Sequence, residues 1–104
     1  MITVSVLYPN KDGAKFDMNY YLANHIPLVK KLLGTALKGV VVEQGVGGGA
    51  PGSKAAYAVI AHLRFDSVEA FQKSFGPHAA TIQGDVRNYS SLEPVVQVSD
   101  VKLA

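Results

Sequence analysis

Ala55-Ala56-Tyr57-Ala58-Val59-Ile60-Ala61-His62-Leu63-Arg64-Phe65-Asp66-Ser67-Val68-Glu69 changes its hydrophobic period partway along, and that change decides the fold. Up to Phe65 the period is two. Tyr57, Val59, Ala61, Leu63 and Phe65 alternate with Ala58, Ile60, His62 and Arg64, as in a strand with one face in a core. Asp66-Ser67-Val68-Glu69 then reads as a capping box, with Asp66 as N-cap and Glu69 three residues on. It opens a helix that turns Val68, Ala70, Phe71 and Phe75 inward. Gly76-Pro77 interrupts this helix, and residues 78–82 begin a further turn or helix.

Upstream, the glycine-rich loop 47–53 joins this strand to another over 37–46, which contains Val40-Val41-Val42. Residues 2–8 alternate as a first strand, with Ile2, Val4, Val6 and Tyr8 on one side and Thr3, Ser5 and Leu7 on the other. After the turn cluster 9–13, Asp17 is placed to cap a first helix. Gly34 stops that helix, after Lys30 and Lys31, whose charges suit a C-terminal end. Residues 85–91 read as irregular and 92–103 as the last strand. The order β-α-β-β-α-β is the ferredoxin-like motif: an α+β fold with a four-stranded antiparallel sheet, expected as one domain over residues 1–104. Its helices cover one face of the sheet. The other face would carry Leu7, Val41, Ala58 and Ile60 among Thr3, Ser5, Glu43 and His62. A bare face this apolar meets a partner, so two sheets packed face to face in a homodimer are expected.

Composition narrows the function classes. Apolar residues make up 48% and charged residues 17%, which marks a globular chain rather than a disordered one. The formal charge of +2 comes from scattered lysines and arginines, with Lys30-Lys31 the only adjacent pair, so no nucleic-acid partner is expected. Zero cysteines exclude disulfides and thiolate metal sites. No run approaches the ~20 apolar residues of a membrane span. Residues 1–7 lack the basic region and cleavage site of a signal peptide, and the expected location is the cytoplasm.

The first helix carries an imidazole on its apolar stripe. At about 100° per residue, Met18, Tyr21, Leu22, His25, Val29, Leu32 and Leu33 share a face, opposite Asn19, Tyr20, Asn24, Lys30 and Lys31. A histidine there is either hydrogen-bonded inside or open onto a cavity. Pro27 lacks an N–H and frees the carbonyl of Ala23. Tyr21, one turn earlier, can hydrogen-bond the ring, whereas Tyr20 is expected at a surface or interface. Asp17 is two turns away, and no carboxylate accompanies any of the three histidines at a useful offset. A satisfied core histidine and a catalytic one both remain open.

Two tempting motifs fail on spacing. Gly47 and Gly52 are placed like P-loop glycines, but Ser53-Lys54 reverses the required order. Residues 45–50 match a dinucleotide fingerprint, yet Pro51-Gly52 and a strand follow instead of a helix. The segment reads as a hairpin connection. His25, His62 and His78 come from separate elements without ligand-like spacing, so no metal is expected. His62 reads as a hydrogen-bonded residue at the dimer interface or barrel rim. His78, after Gly76-Pro77, either finishes a helix start or meets a ligand.

The run Phe16-Asp17-x-x-Tyr20-Tyr21-x-x-x-His25-x-Pro27-Leu28 resembles the signature of the EthD family, named for ethyl tert-butyl ether degradation. The similarity continues through Tyr57 to Phe65 and Asp66-Ser67-x-x-Ala70-Phe71 to the closing strand. Members look like dimeric α+β barrels. The family namesake accompanies a cytochrome P450 system, and cousins include cofactor-free monooxygenases, lactone isomerases and polyketide cyclases. The resemblance implies a small, mostly apolar pocket between helices and sheet, with His25 at its edge. The resulting expectation is an enzyme, or an accessory protein of a catabolic or oxidative pathway, acting without a cofactor on a small aromatic, enolic or ether-derived compound. His25 is the candidate general base, and Tyr8, Tyr21, His62 and His78 are the candidate substrate-binding residues. Haem binding occurs among relatives of this architecture, but no residue here stands out as an axial ligand. The alternative is a non-catalytic ligand-binding or scaffold homodimer, in which His25 only ties helix to sheet.

Overall fold

Alternation along two neighbouring strands decides which side of the sheet is covered. The computed structural model describes all 104 residues. Its strands are β1 (Ile2–Pro9), β2 (Gly39–Gln44), β3 (Tyr57–Phe65) and β4 (Val95–Asp100), all antiparallel in the order β2-β3-β1-β4. Val4 lies opposite Leu63, Val6 opposite Ala61 and Tyr8 opposite Val59. Directly paired residues point the same way, so the inward sets of β1 and β3 merge into one apolar surface.

β2 and β4 are shorter than expected. A 3-10 turn, Gly34–Ala36, leads into Leu37 and delays β2, while Asp100 already pairs with Ile2, the first residue of β1. Beyond it only the Val101 N–H still finds a partner, the carbonyl of Met1, where the chain begins. Likewise β3 begins at Tyr57, because residues 45–56 form the hairpin connection.

Helix α1 (residues 18–33) has α-helical ends, Met18–Tyr20 and Ile26–Leu33, around a π-helical turn, Tyr21–His25. The Asp17 carboxylate accepts from the Tyr20 N–H, and Gly34, at φ 60°, ends the helix. Helix α2 (Val68–Phe75) passes through a 3-10 turn, Gly76–His78, into α3 (Ala79–Gly84), and a further 3-10 turn, Val86–Asn88, follows. The cap of α2 is Ser67, not Asp66: the Ser67 hydroxyl accepts from Ala70 N–H at 3.0 Å. Val68, at the first helical position, therefore faces solvent, while Phe71 and Phe75 pack on the core.

The core has two parts. Ile2, Val4, Val29, Leu33, Leu63, Phe65 and Ile82 fill the end nearest α2 and α3. Tyr8, Tyr21, Ile26, Val59, Tyr89 and Leu92 fill the other, an unusually aromatic end. Helices cover β2, β3 and β1, but Val96 and Val98 on the same side of β4 stay exposed. The opposite sheet face carries Leu7, Ala58 and Ile60, with Val41 and Val95 open to solvent, around Ser5, Glu43 and His62. No helix is long and apolar enough to cross a membrane.

Candidate functional site

The π turn sets the site. In it the Ile26 N–H reaches the carbonyl of Tyr21, five residues back. Pro27 cannot donate to Ala23, so a regular α-helical ladder is broken at this position in any case. The extra residue in the turn changes the face that α1 presents. Leu22 is turned out to solvent, Ile26 is turned in, and Tyr21 and His25 are both buried. A uniform 100° step placed Leu22 inside, and the wide turn is the physical reason for the difference.

His25 is 5% exposed, and its ring has partners on both nitrogens. Nδ1 lies 2.8 Å from Asp85 Oδ2 and Nε2 lies 3.4 Å from Tyr89 Oη. A carboxylate only accepts, so Nδ1–H donates and, in the neutral ring, Nε2 is left with its lone pair. Tyr21 stacks on the ring at 5.4 Å between centroids, and Tyr89 leans over it at 4.7 Å. Phe16 fills the space among Tyr8, Tyr21 and Tyr89 with three edge-on contacts of 5.0–5.3 Å.

Asp85 is the residue that sequence spacing missed. It follows Gly84 at the end of α3, sixty positions from His25, in a segment with no periodicity. Its Oδ1 accepts from Tyr20 Oη at 2.7 Å and from Asn88 Nδ2 at 2.9 Å. Desolvation, the largest single influence, pushes its carboxyl up, but the hydrogen bonds from Asn88, Tyr20 and His25 together outweigh it and its pKa is lowered. Tyr20, expected at a surface, is thus a ligand of the carboxylate. The only local signal was Asp85-x-x-Asn88, whose spacing suits a side chain folding back on its own turn.

Backbone pairing holds this corner in place. Asp17 N–H donates to the Tyr89 carbonyl and Ser91 N–H to the Lys15 carbonyl, around the bridge between Phe16 and Ser90. The start of α1 is thereby fixed against the segment that carries Asp85 and Tyr89. Tyr89 Oη in turn lies 2.6 Å from Tyr8 Oη. Burial raises the pKa of Tyr8, Tyr21 and Tyr89, so all three phenols are neutral near pH 7.

A cavity of about 700 Å³ opens beside this cluster. Fifteen of its 22 lining residues are hydrophobic, among them Val6, Ile26, Val29, Leu63, Phe71 and Phe75. Tyr8, Tyr21, His25 and Ser90 supply polar groups, and the exposed Gln83, Arg87, Ser91 and Glu93 lie at the rim. The uncovered helix side of β4, at Val96, forms one wall.

Three of the five candidate residues, Tyr8, Tyr21 and His25, therefore come together. The other two do not reach the cavity. His62 is on the far face of the sheet, where Nε2 meets Glu43 Oε1 at 2.8 Å and Nδ1 meets Ser5 Oγ at 3.3 Å. His78 sits in the 3-10 turn between α2 and α3, outside the cavity lining. No group of three or more His, Cys, Asp or Glu side chains is arranged to hold a metal ion.

A comparison with curated proteins found no match. Among solved structures, an EthD-like protein from Ralstonia eutropha JMP134 is 40% identical over 98% of this chain and 92% of that one, with a TM-score of 0.93. A protein from Shewanella loihica PV-4, described as a candidate monooxygenase, is 11% identical (99% and 95% covered, TM-score 0.63). A dimeric protein with a ferredoxin-like fold from Bacteroides fragilis is 10% identical (96% and 95% covered, TM-score 0.54). These last two share the fold alone. The EthD domain matches residues 11–93, most of the chain, and with the Ralstonia relative it shows that this protein belongs to the EthD family.

Proposed function

We propose that this protein is a cofactor-independent proton-transfer enzyme for a small, mostly apolar molecule with an acidic C–H or O–H beside a carbonyl or aromatic ring. One observation carries the reading: a histidine that lines an apolar cavity has its Nδ1 held by a half-buried carboxylate at 2.8 Å. Asp85 fixes the tautomer and balances the imidazolium that forms, while Nε2 acts as general base. The phenol groups beside it stabilise the oxygen on which negative charge develops. An oxidative catabolic pathway fits such a substrate, and a fold-mate described as a candidate monooxygenase is consistent with that placement.

The working unit is a homodimer joined through the outer sheet face, with the two cavities on the outside of the sandwich. The exposed Val41 and Val95 support this, and a fold-mate is described as dimeric.

A non-catalytic reading rests on one observation as well. No buried side-chain nitrogen or oxygen lacks a partner, which is what a structural histidine requires. Deuterium exchange separates the two readings. Compounds that stabilise the protein in a thermal screen of aromatic and enolisable ligands are incubated with it in heavy water. The catalytic reading expects exchange at the acidic C–H, lost by at least about a hundredfold in His25→Gln. Bound ligand with no exchange above the buffer rate would leave only the scaffold.

A further inference from the structure

The nitrogen that must take up the proton is itself engaged. Nε2 of His25 has Tyr89 Oη as its hydrogen-bond partner, and Tyr89 does not line the cavity. Tyr8 does line it, and its hydroxyl lies 2.6 Å from that of Tyr89. The direction of the chain follows from its ends. Asp85 accepts from Nδ1–H, so neutral Nε2 accepts from the Tyr89 hydroxyl, and the Tyr89 oxygen then accepts from the Tyr8 hydroxyl. An oxygen lone pair of Tyr8 is left unused by this chain.

From this geometry we infer that Tyr8 is the catalytic residue that meets the substrate, and that Tyr89 relays its proton to His25. The inference rests on the proton-transfer reading above. In the step, the acidic bond of the substrate breaks and its proton goes to the Tyr8 oxygen. The Tyr8 proton moves to Tyr89 and the Tyr89 proton to Nε2. Both phenols end neutral, His25 ends as imidazolium beside Asp85, and the electron pair stays on the substrate as an enolate or phenolate. The hydroxyl of Tyr8 is then free to donate to that anion. Tyr21 stacks on the imidazole, and its hydroxyl, directed at that of Tyr8, is a neighbour of the chain without bridging Tyr8 to His25.

The substrate is accordingly a phenol or enolisable carbonyl whose oxygen reaches Tyr8, with its apolar body along Val29, Leu63 and Phe71.

The test uses 4-nitrophenol, whose phenolate form absorbs visible light, titrated into the intact protein below the probe's solution pKa. The wild type is expected to hold the probe as phenolate, and His25→Gln to hold it protonated. Tyr8→Phe and Tyr89→Phe each keep the ring packing and are expected to lower the ratio of bound phenolate to phenol about tenfold. Nitrobenzene, which has no proton to give, is titrated alongside as the reference for binding, so that the phenolate-to-phenol ratio is read only among bound probe. Melting curves establish that each variant is folded, and either variant alone decides the outcome. If either tyrosine variant, once shown to be folded, ionises the probe like the wild type while His25→Gln does not, the relay is wrong, although the base survives. If His25→Gln also ionises the probe, base and relay fall together. A wild type that binds no probe, or binds it only as the phenol, overturns the relay.

Discussion

At the scale of single residues, the site is a histidine whose two nitrogens have different neighbours. Asp85 defines one and the tyrosine pair the other. The lowered pKa of Asp85 has a consequence for stability. Its carboxylate is favoured in the folded state, so its contribution is fully present above its ordinary value of 3.8 and is lost as pH falls through the lower, folded value. The stability of the wild type against urea should therefore fall below about pH 4. Asp85→Asn should be less stable at neutral pH and should lose this part of the acid dependence. Parallel pH curves for the two proteins would show that the carboxylate does not gain from folding.

His25 itself was legible from the sequence, because an imidazole on an apolar stripe needs an explanation and Tyr21 sat one turn away. Asp85 and Tyr89 were not. They lie 60 and 64 positions from His25, on a short turn that follows no hydrophobic period, and only the folded chain brings them near. Helical offsets report only partners on the same helix, and this carboxylate is delivered by another element.

Elements were read well where periodicity is strong and less well at their ends. The alternation of β1 and β3 gave the covered face, and Asp17 and Gly34 bound α1 as expected. The π turn broke the 100° rule, exposed Leu22 and brought Ile26 inside. Pro27 marked the place without revealing the change of pitch. At α2 both Asp66 and Ser67 are chemically suited to cap, and the chain uses the second. Ser67→Ala should cost about 1 kcal/mol in chemical denaturation. Asp66→Ala should cost clearly less, and equal or reversed losses would return the cap to Asp66.

For the whole molecule, the sheet has one face occupied by helices and one with apolar residues in the open. The outer face was foreseen from β1, β2 and β3, and β4 adds Val95 to it. A cavity between helices and sheet is what the EthD resemblance implies, but its open side is not legible in the sequence. It depends on the helices stopping short of β4, which no local pattern records. A dimer through the outer face predicts that Val41→Lys combined with Val95→Lys gives a monomer in analytical ultracentrifugation, with the cavity intact. Persistence of the dimer in that double variant would move the interface elsewhere, because buried lysines without partners are strongly unfavourable.

The central claim is that Asp85 holds the proton of His25 on Nδ1 and leaves Nε2 as the base. Long-range nitrogen–proton correlation spectra of histidine-labelled protein read this directly for the neutral ring. The wild type is predicted to carry the proton on Nδ1, and Asp85→Asn to lose that preference. A neutral His25 protonated on Nε2 in the wild type would contradict the account.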